Sequence, residues 1–233
     1  MRERKDPLLD KILLDMATER KHPTFDKILT FLAGNGPCSK WQIAKALGLS
    51  YGNTYATIKD LLQNELIRIA ETRASGKNKK IDVEYYGLTL LGFLMALTVI
   101  EVTPENKALI VSIIEKQSHL HPLFAKWNTL MQQVSHIVLF RSLSNVAGSI
   151  CYEWRESSRG RVYRDLTNYF TEKMLTLAQY NFDNDYLSRI GQWLEAIRKD
   201  KELKLYVETK IKETIKKDRE RLEYYEELLK KLG

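Results

Sequence analysis

The stretch Ser39-Lys40-Trp41-Gln42-Ile43-Ala44-Lys45-Ala46-Leu47-Gly48-Leu49-Ser50-Tyr51-Gly52-Asn53-Thr54 decides the fold. Ser39 with Gln42 three residues on is a capping-box signature, in which each side chain satisfies the other residue's backbone N–H. Trp41, Ile43, Ala44 and Leu47 then run as an apolar stripe to Gly48, a helix-stopping residue. Ser50 follows almost at once and caps a helix from Tyr51 to about Asn64, with Thr54, Ile58, Leu61 and Leu62 facing inward. Two short helices joined by so tight a turn leave the second with an open side, which carries Tyr51, Asn53, Tyr55, Ala56 and Lys59.

Upstream, Thr24 precedes Phe25, Ile28, Leu29 and Leu32, a helical stripe that ends at Gly34-Asn35-Gly36-Pro37. A further helix is predicted over Pro7–Met16, with Asp6 as its cap and proline at its first position. Downstream, Ile67 and Ile69 alternate with polar residues, as do Ile81, Val83 and Tyr85, around Ala74-Ser75-Gly76-Lys77-Asn78. That pattern predicts a β-hairpin with a basic tip. From Leu88 onward only helical periodicity remains: a helix opened by Thr103-Pro104-Glu105, stripes at Leu123–Val134, Ile137–Trp154, Val162–Leu177 and Leu187–Ile197, and an amphipathic helix over Lys201–Leu232. The expected fold class is mainly α with a small β-hairpin. Residues 1–100 form a helix-turn-helix unit with a hairpin and an extra N-terminal helix, and residues 101–233 form an all-α domain.

The 233 residues carry 37 Lys and Arg against 30 Asp and Glu, a formal charge of +7. Eight of those basic residues but only three acidic ones fall between Cys38 and Lys80, so most of the excess sits on this one segment. Local excess positive charge favours a polyanionic partner. Two cysteines are too few for a disulfide framework or a four-thiolate zinc site, which favours a reducing compartment. No signal peptide is read at the start, and the longest uncharged run, 16 residues between Glu84 and Glu101, is short of a membrane span. No phosphate-cradling glycine motif, nucleophile elbow or paired zinc-ligand motif occurs, so neither an enzyme, a cofactor nor a metal is expected.

Ile43-Ala44-Lys45-Ala46-Leu47-Gly48-Leu49-Ser50, with apolar or small residues continuing at Thr54, Ile58, Leu61, Leu66 and Ile67, resembles the winged helix-turn-helix transcription regulators of bacteria and archaea. Tyr86-Gly87-Leu88-Thr89-Leu90-Leu91-Gly92 is similar to the exit from the wing in MarR-like and PadR-like members. The resemblance covers roughly Thr24 to Ile100. Glu65 departs from it, standing where the family usually has glycine. The resemblance implies double-stranded DNA as partner, with Tyr51, Asn53, Tyr55 and Lys59 in the major groove, and Lys40, Arg73, Lys77, Lys79 and Lys80 on phosphates or in the minor groove. It also implies a homodimer and a cytoplasmic, nucleoid-associated location. Ile211, Ile215, Leu222, Tyr225, Leu229 and Leu232, interrupted by Asp218, form a heptad-like stripe on which two copies can pair, and Leu8–Met16 is a second candidate.

Weaker candidates are His119-x-His121 as metal nitrogens, Asn181, Asp183 and Asp185 as an incomplete calcium loop, and Arg155–Arg161 as an anion-binding turn. Cys38 is a candidate oxidant sensor, and Trp127, Trp154 and Trp193 are candidate walls of a small-molecule effector pocket. Two other classes compete with gene regulation: a winged-helix protein-interaction module in a transcription or replication assembly, and nucleic-acid work such as replication initiation or RNA binding.

Overall fold

The computed structural model describes residues 23–74, 82–100, 107–134, 136–156, 165–176 and 194–232. The helix predicted at Pro7–Met16, the tip of the hairpin with Lys77, Lys79 and Lys80, the calcium-like residues, most of the Arg155–Arg161 turn and Trp193 lie outside these residues. In chain order come α1 (Pro23–Asn35), β1 (Cys38–Ser39), α2 (Lys40–Leu47), α3 (Tyr51–Gln63), β2 (Ile67–Ala74), β3 (Asp82–Leu88) and α4 (Leu90–Val99). They are followed by α5 (Lys107–Lys116), a 3₁₀ turn (Ser118–Leu120), α6 (Pro122–Ala125), α7 (Trp127–Met131), α8 (His136–Glu156), α9 (Leu166–Thr176), a helical turn at 194–199 and α10 (Lys201–Leu232).

The three strands form one antiparallel sheet in the order β1-β3-β2. β1 was not foreseen: two residues pair Cys38 with Tyr86 and Ser39 with Tyr85, too short a run to leave a pattern in sequence. The register of the hairpin shifts between Ile69 and Glu71, a bulge at Ala70. Ile67, Tyr86 and Leu88 are buried, while Ile69 is exposed and Val83 and Tyr85 are half-buried.

One apolar cluster runs from Ile28 in α1 to Val207 in α10, so the core is continuous across residue 100. The helix that carries it across is α4, whose Leu90, Leu91, Gly92, Phe93, Leu94, Ala96 and Leu97 are buried all round. Phe93 meets Phe124 edge-on at 5.1 Å, Phe124 lies 5.4 Å from Phe170, and Trp127 lies 6.0 Å from Phe140. Trp127 is therefore core packing. At the far end of α1, the buried Gln117 amide donates to the carbonyls of Leu32 (3.1 Å) and Ala33 (3.2 Å), closing the helix with the side chain of the residue that follows α5.

The predicted helix at Leu123–Val134 is broken into α6 and α7. Lys126 leaves helical geometry at φ −104° and ψ 12°, serving as the end of one helix and the start of the next. Its ammonium reaches Asp200 (3.1 Å) and Glu202 (2.7 Å) at the start of α10, a tether invisible in local sequence.

His121 is buried at the start of α6 and uses both ring nitrogens inside the fold. Nδ1 accepts from the Leu123 N–H at 3.1 Å, so Nε2 carries the proton and faces Thr171 Oγ1 (3.1 Å), Thr167 O (3.3 Å) and the Tyr206 hydroxyl (3.3 Å). Thr171 donates to Thr167 O at 2.9 Å, which leaves Tyr206 to donate to Thr171. The chain ties α6, α9 and α10 together. Burial pushes the His121 pKa down to about 4, helped by the Lys210 ammonium and opposed by the bond to Thr167. A proton on Nδ1 displaces the Leu123 N–H. Since the folded pKa lies below the ordinary 6.5, the unfolded chain binds the extra proton first, and stability falls as pH drops from about 6.5 to about 4. Chemical denaturation is expected to give a protein about 2 kcal/mol less stable at pH 5 than at pH 7, a difference that His121→Gln largely abolishes. An unchanged pH dependence in that variant counts against the assignment.

Candidate nucleic-acid interface

Local sequence builds the helix-turn-helix. Ser39 and Gln42 close the capping box, with Ser39 N–H donating to Gln42 Oε1 (2.8 Å) and Gln42 N–H to Ser39 Oγ (3.3 Å). Gly48 ends α2 in the left-handed region at φ 64°, where its own N–H and that of Leu49 return to Ala44 O. Ser50 Oγ then accepts from Asn53 N–H at 3.2 Å and starts α3. The buried face of α3 is Thr54, Thr57, Ile58 and Leu61, with Leu62 half-buried. Thr57 was not among the expected inward residues; its hydroxyl donates to Asn53 O at 2.9 Å, which satisfies a polar group inside the unit.

The far end of α3 is a Schellman motif, with Leu66 N–H to Leu61 O (2.9 Å) and Glu65 N–H to Leu62 O (3.0 Å). Glu65, at φ 56°, takes a left-handed position, the conformation that glycine adopts most readily. Thr89 fastens this end. Its hydroxyl donates to Glu65 O (2.7 Å), its N–H donates to Leu66 O (3.1 Å), and the same hydroxyl accepts from Gly92 N–H (3.1 Å) to cap α4. Gly92 lies directly on this junction, where a Cβ would stand 1.8 Å from the carbonyl oxygen of Leu66. The Thr-x-x-Gly exit thus joins the end of α3 to the start of α4.

The structure places Tyr51, Asn53, Tyr55, Ala56 and Lys59 on the exposed face of α3, with Tyr51 at 59% and Tyr55 at 52% exposure. Lys59 neighbours Asp60, also exposed, so this face has no net charge. Lys40 is held under it. Its ammonium lies 3.6 Å from Glu84, 4.7 Å from the Tyr55 ring centre and 5.3 Å from that of Tyr86, whose hydroxyl donates to Glu84. Partial burial works against the charged ammonium, but Tyr86 and Glu84 outweigh it and hold the Lys40 pKa above its ordinary value. Lys40 therefore braces Tyr55 against the sheet. Arg73, on the wing, donates from Nε to Glu71 at 2.9 Å and stacks 4.5 Å over Tyr85, while its side chain remains largely exposed.

One residue departs from the expected placement, and one exposed cation joins the surface. Trp41, expected inward with Ile43 and Leu47, is 62% exposed. Arg68, not singled out in sequence, is exposed on β2 opposite Gly87 and makes no ion pair among the described residues. Cys38 is buried against the core, and burial pushes its thiol pKa up, away from the reactive thiolate.

Among solved structures, the chain is similar to the adhesin competence repressor of Streptococcus pyogenes, at 19% identity over 66% of this chain and 93% of that one, with a TM-score of 0.27. No family model matches the sequence. No curated protein matches it significantly. The winged helix-turn-helix description therefore stands on the element order and the sheet β1-β3-β2. No helix among the described residues is long and apolar enough to cross a membrane.

The junction makes opposite predictions for two substitutions. Glu65→Gly relieves the left-handed strain and is expected to raise unfolding free energy by about 1 kcal/mol. Gly92→Ala drives a methyl into backbone and is expected to cost about 3 kcal/mol or more, read as a fall in the denaturation midpoint. Equal effects of the two changes would refute the junction.

Proposed function

We propose that the protein is a DNA-binding transcription regulator that grips duplex DNA through its winged helix-turn-helix, as a homodimer, with residues 1–100 reading DNA and residues 101–233 serving dimerisation or signal input. The observation that carries this reading is the presentation of α3: capped at both ends, braced from beneath by Lys40, and open to solvent along Tyr51, Asn53, Tyr55 and Lys59. A B-form major groove about 12 Å wide admits one such helix. Asn53 has the donor–acceptor pair suited to adenine, while Lys59, Arg68, Arg73 and the wing lysines Lys77, Lys79 and Lys80 supply phosphate contacts.

Pairing of two chains is supported by α10. Its 32 residues extend about 48 Å. Ile211, Ile215, Leu222 and Tyr225 are exposed at alternating four and three spacing, with Asp218 between them paired to Arg221 of its own helix at 3.1 Å. Two half-sites read by a linked pair bind far more tightly than one. A cytoplasmic, nucleoid-associated location and regulation by a small-molecule effector belong to the same reading.

A second reading, a protein-interaction module in a transcription or replication assembly, is favoured by one feature: the α3 face is neutral and bears two exposed tyrosines. Titration with duplex DNA across salt concentrations separates the two. For a dimer with about eight phosphate contacts, the log–log slope is expected near −7. Reversing the charge of Lys77, Lys79 and Lys80 is expected to weaken binding to every sequence, and Asn53→Ala to relax preference among sequences. Binding to no duplex at low salt would remove the regulator reading, and a monomer in sedimentation would remove the dimer.

A further inference from the structure

The positive charge of the helix-turn-helix lies on its first helix rather than its second. Helix α2 contains two lysines and no carboxylate, whereas on α3 Lys59 is offset by Asp60. Of the α2 pair, Lys40 is engaged by Glu84 under Tyr55. Lys45 is exposed and makes no ion pair among the described residues. Its ammonium stands 4.9 Å from the centre of the Trp41 ring, one turn back on the same helix. Trp41 is the most exposed aromatic side chain among the described residues, at 62%.

An indole left in water beside an exposed ammonium has a flat apolar surface and a cation side by side. Sugar–phosphate backbone presents the complement: the apolar face of a deoxyribose next to an anionic phosphate. In a helix-turn-helix the first helix crosses that backbone while the second enters the groove. We propose that Trp41 and Lys45 form a backbone contact for duplex DNA, the indole lying against a deoxyribose and the ammonium reaching the adjoining phosphate. This rests on the duplex-binding reading and assigns to α2 the electrostatic grip that the neutral face of α3 lacks. A protein partner would bury the same indole, but nothing in that role calls for a free lysine over its ring.

The test uses the full chain, a mixed-sequence duplex, and the variants Trp41→Ala, Trp41→Phe and Lys45→Gln. Both side chains are exposed, so all three variants are expected to melt with the parent protein. Trp41→Ala is expected to weaken duplex binding about fivefold, with Trp41→Phe near the parent. Lys45→Gln is expected to reduce the steepness of the salt dependence by about 1, a change Trp41→Ala does not make. Duplex addition is expected to alter an intrinsic fluorescence component that is missing from Trp41→Phe. Parent-like affinity and salt slope in Trp41→Ala and Lys45→Gln, with no Trp41-dependent fluorescence change, would overturn the contact while leaving duplex binding intact. Failure of the parent protein to bind any duplex overturns the regulator reading itself, and this contact with it.

Discussion

Four groups meet where α3 ends and α4 begins: the carbonyls of Glu65 and Leu66, the hydroxyl of Thr89 and the backbone of Gly92. The chain leaves α3, travels through both long strands and returns to this point, so the contact closes the whole winged unit on itself. One hydroxyl donates to the end of α3 and accepts from the start of α4, and the missing Cβ of Gly92 lets the two backbones touch. Because α4 is buried on every side, the pose of α3 is referred through it to the helical half of the molecule. A carbonyl that bonds Thr89 also explains how Glu65 is kept in a left-handed conformation that its side chain disfavours.

Much of this was legible in the sequence because its causes are local. Ser39 with Gln42, Gly48 and Ser50 act within four residues of themselves, and the helix-turn-helix follows from them. Less local features escaped. Thr57 is polar, so apolar periodicity does not mark it as inward; the structure shows its hydroxyl returning to Asn53 O. At the break, Lys126 pairs with Asp200 and Glu202, more than seventy positions away in the chain. Glycine at 92 is recognisable from resemblance, but its reason, a carbonyl 1.8 Å from where a methyl would be, is tertiary.

The interface divides in the same way. The exposed set on α3 follows from helical period once the inward residues are known. A large aromatic beside Ile43 and Ala44 reads as part of their stripe, yet Trp41 is exposed and lies about 100° around the helix from the half-buried Lys40. The pairing of Lys40 with Glu84 is not legible locally, because Glu84 lies in β3, more than forty positions along the chain. Arg73 is the intermediate case: its pairing with Glu71 two residues away and its stack on Tyr85 hold the guanidinium in a set direction while leaving it in solvent.

On the proposed duplex-binding reading, the absence of net charge on the open side of α3 has a kinetic consequence. Cations placed beside a reading helix set how long the molecule lingers on any stretch of polyanion, and they do so with little regard to base order. A reading helix without net charge adds little to that dwell time, so its hydrogen bonds and ring faces are sampled afresh at every position along the track. On that reading, dwell time and choice of sequence are tuned by separate exposed residues, Lys45 and Arg68 for the one, Asn53 and Tyr55 for the other.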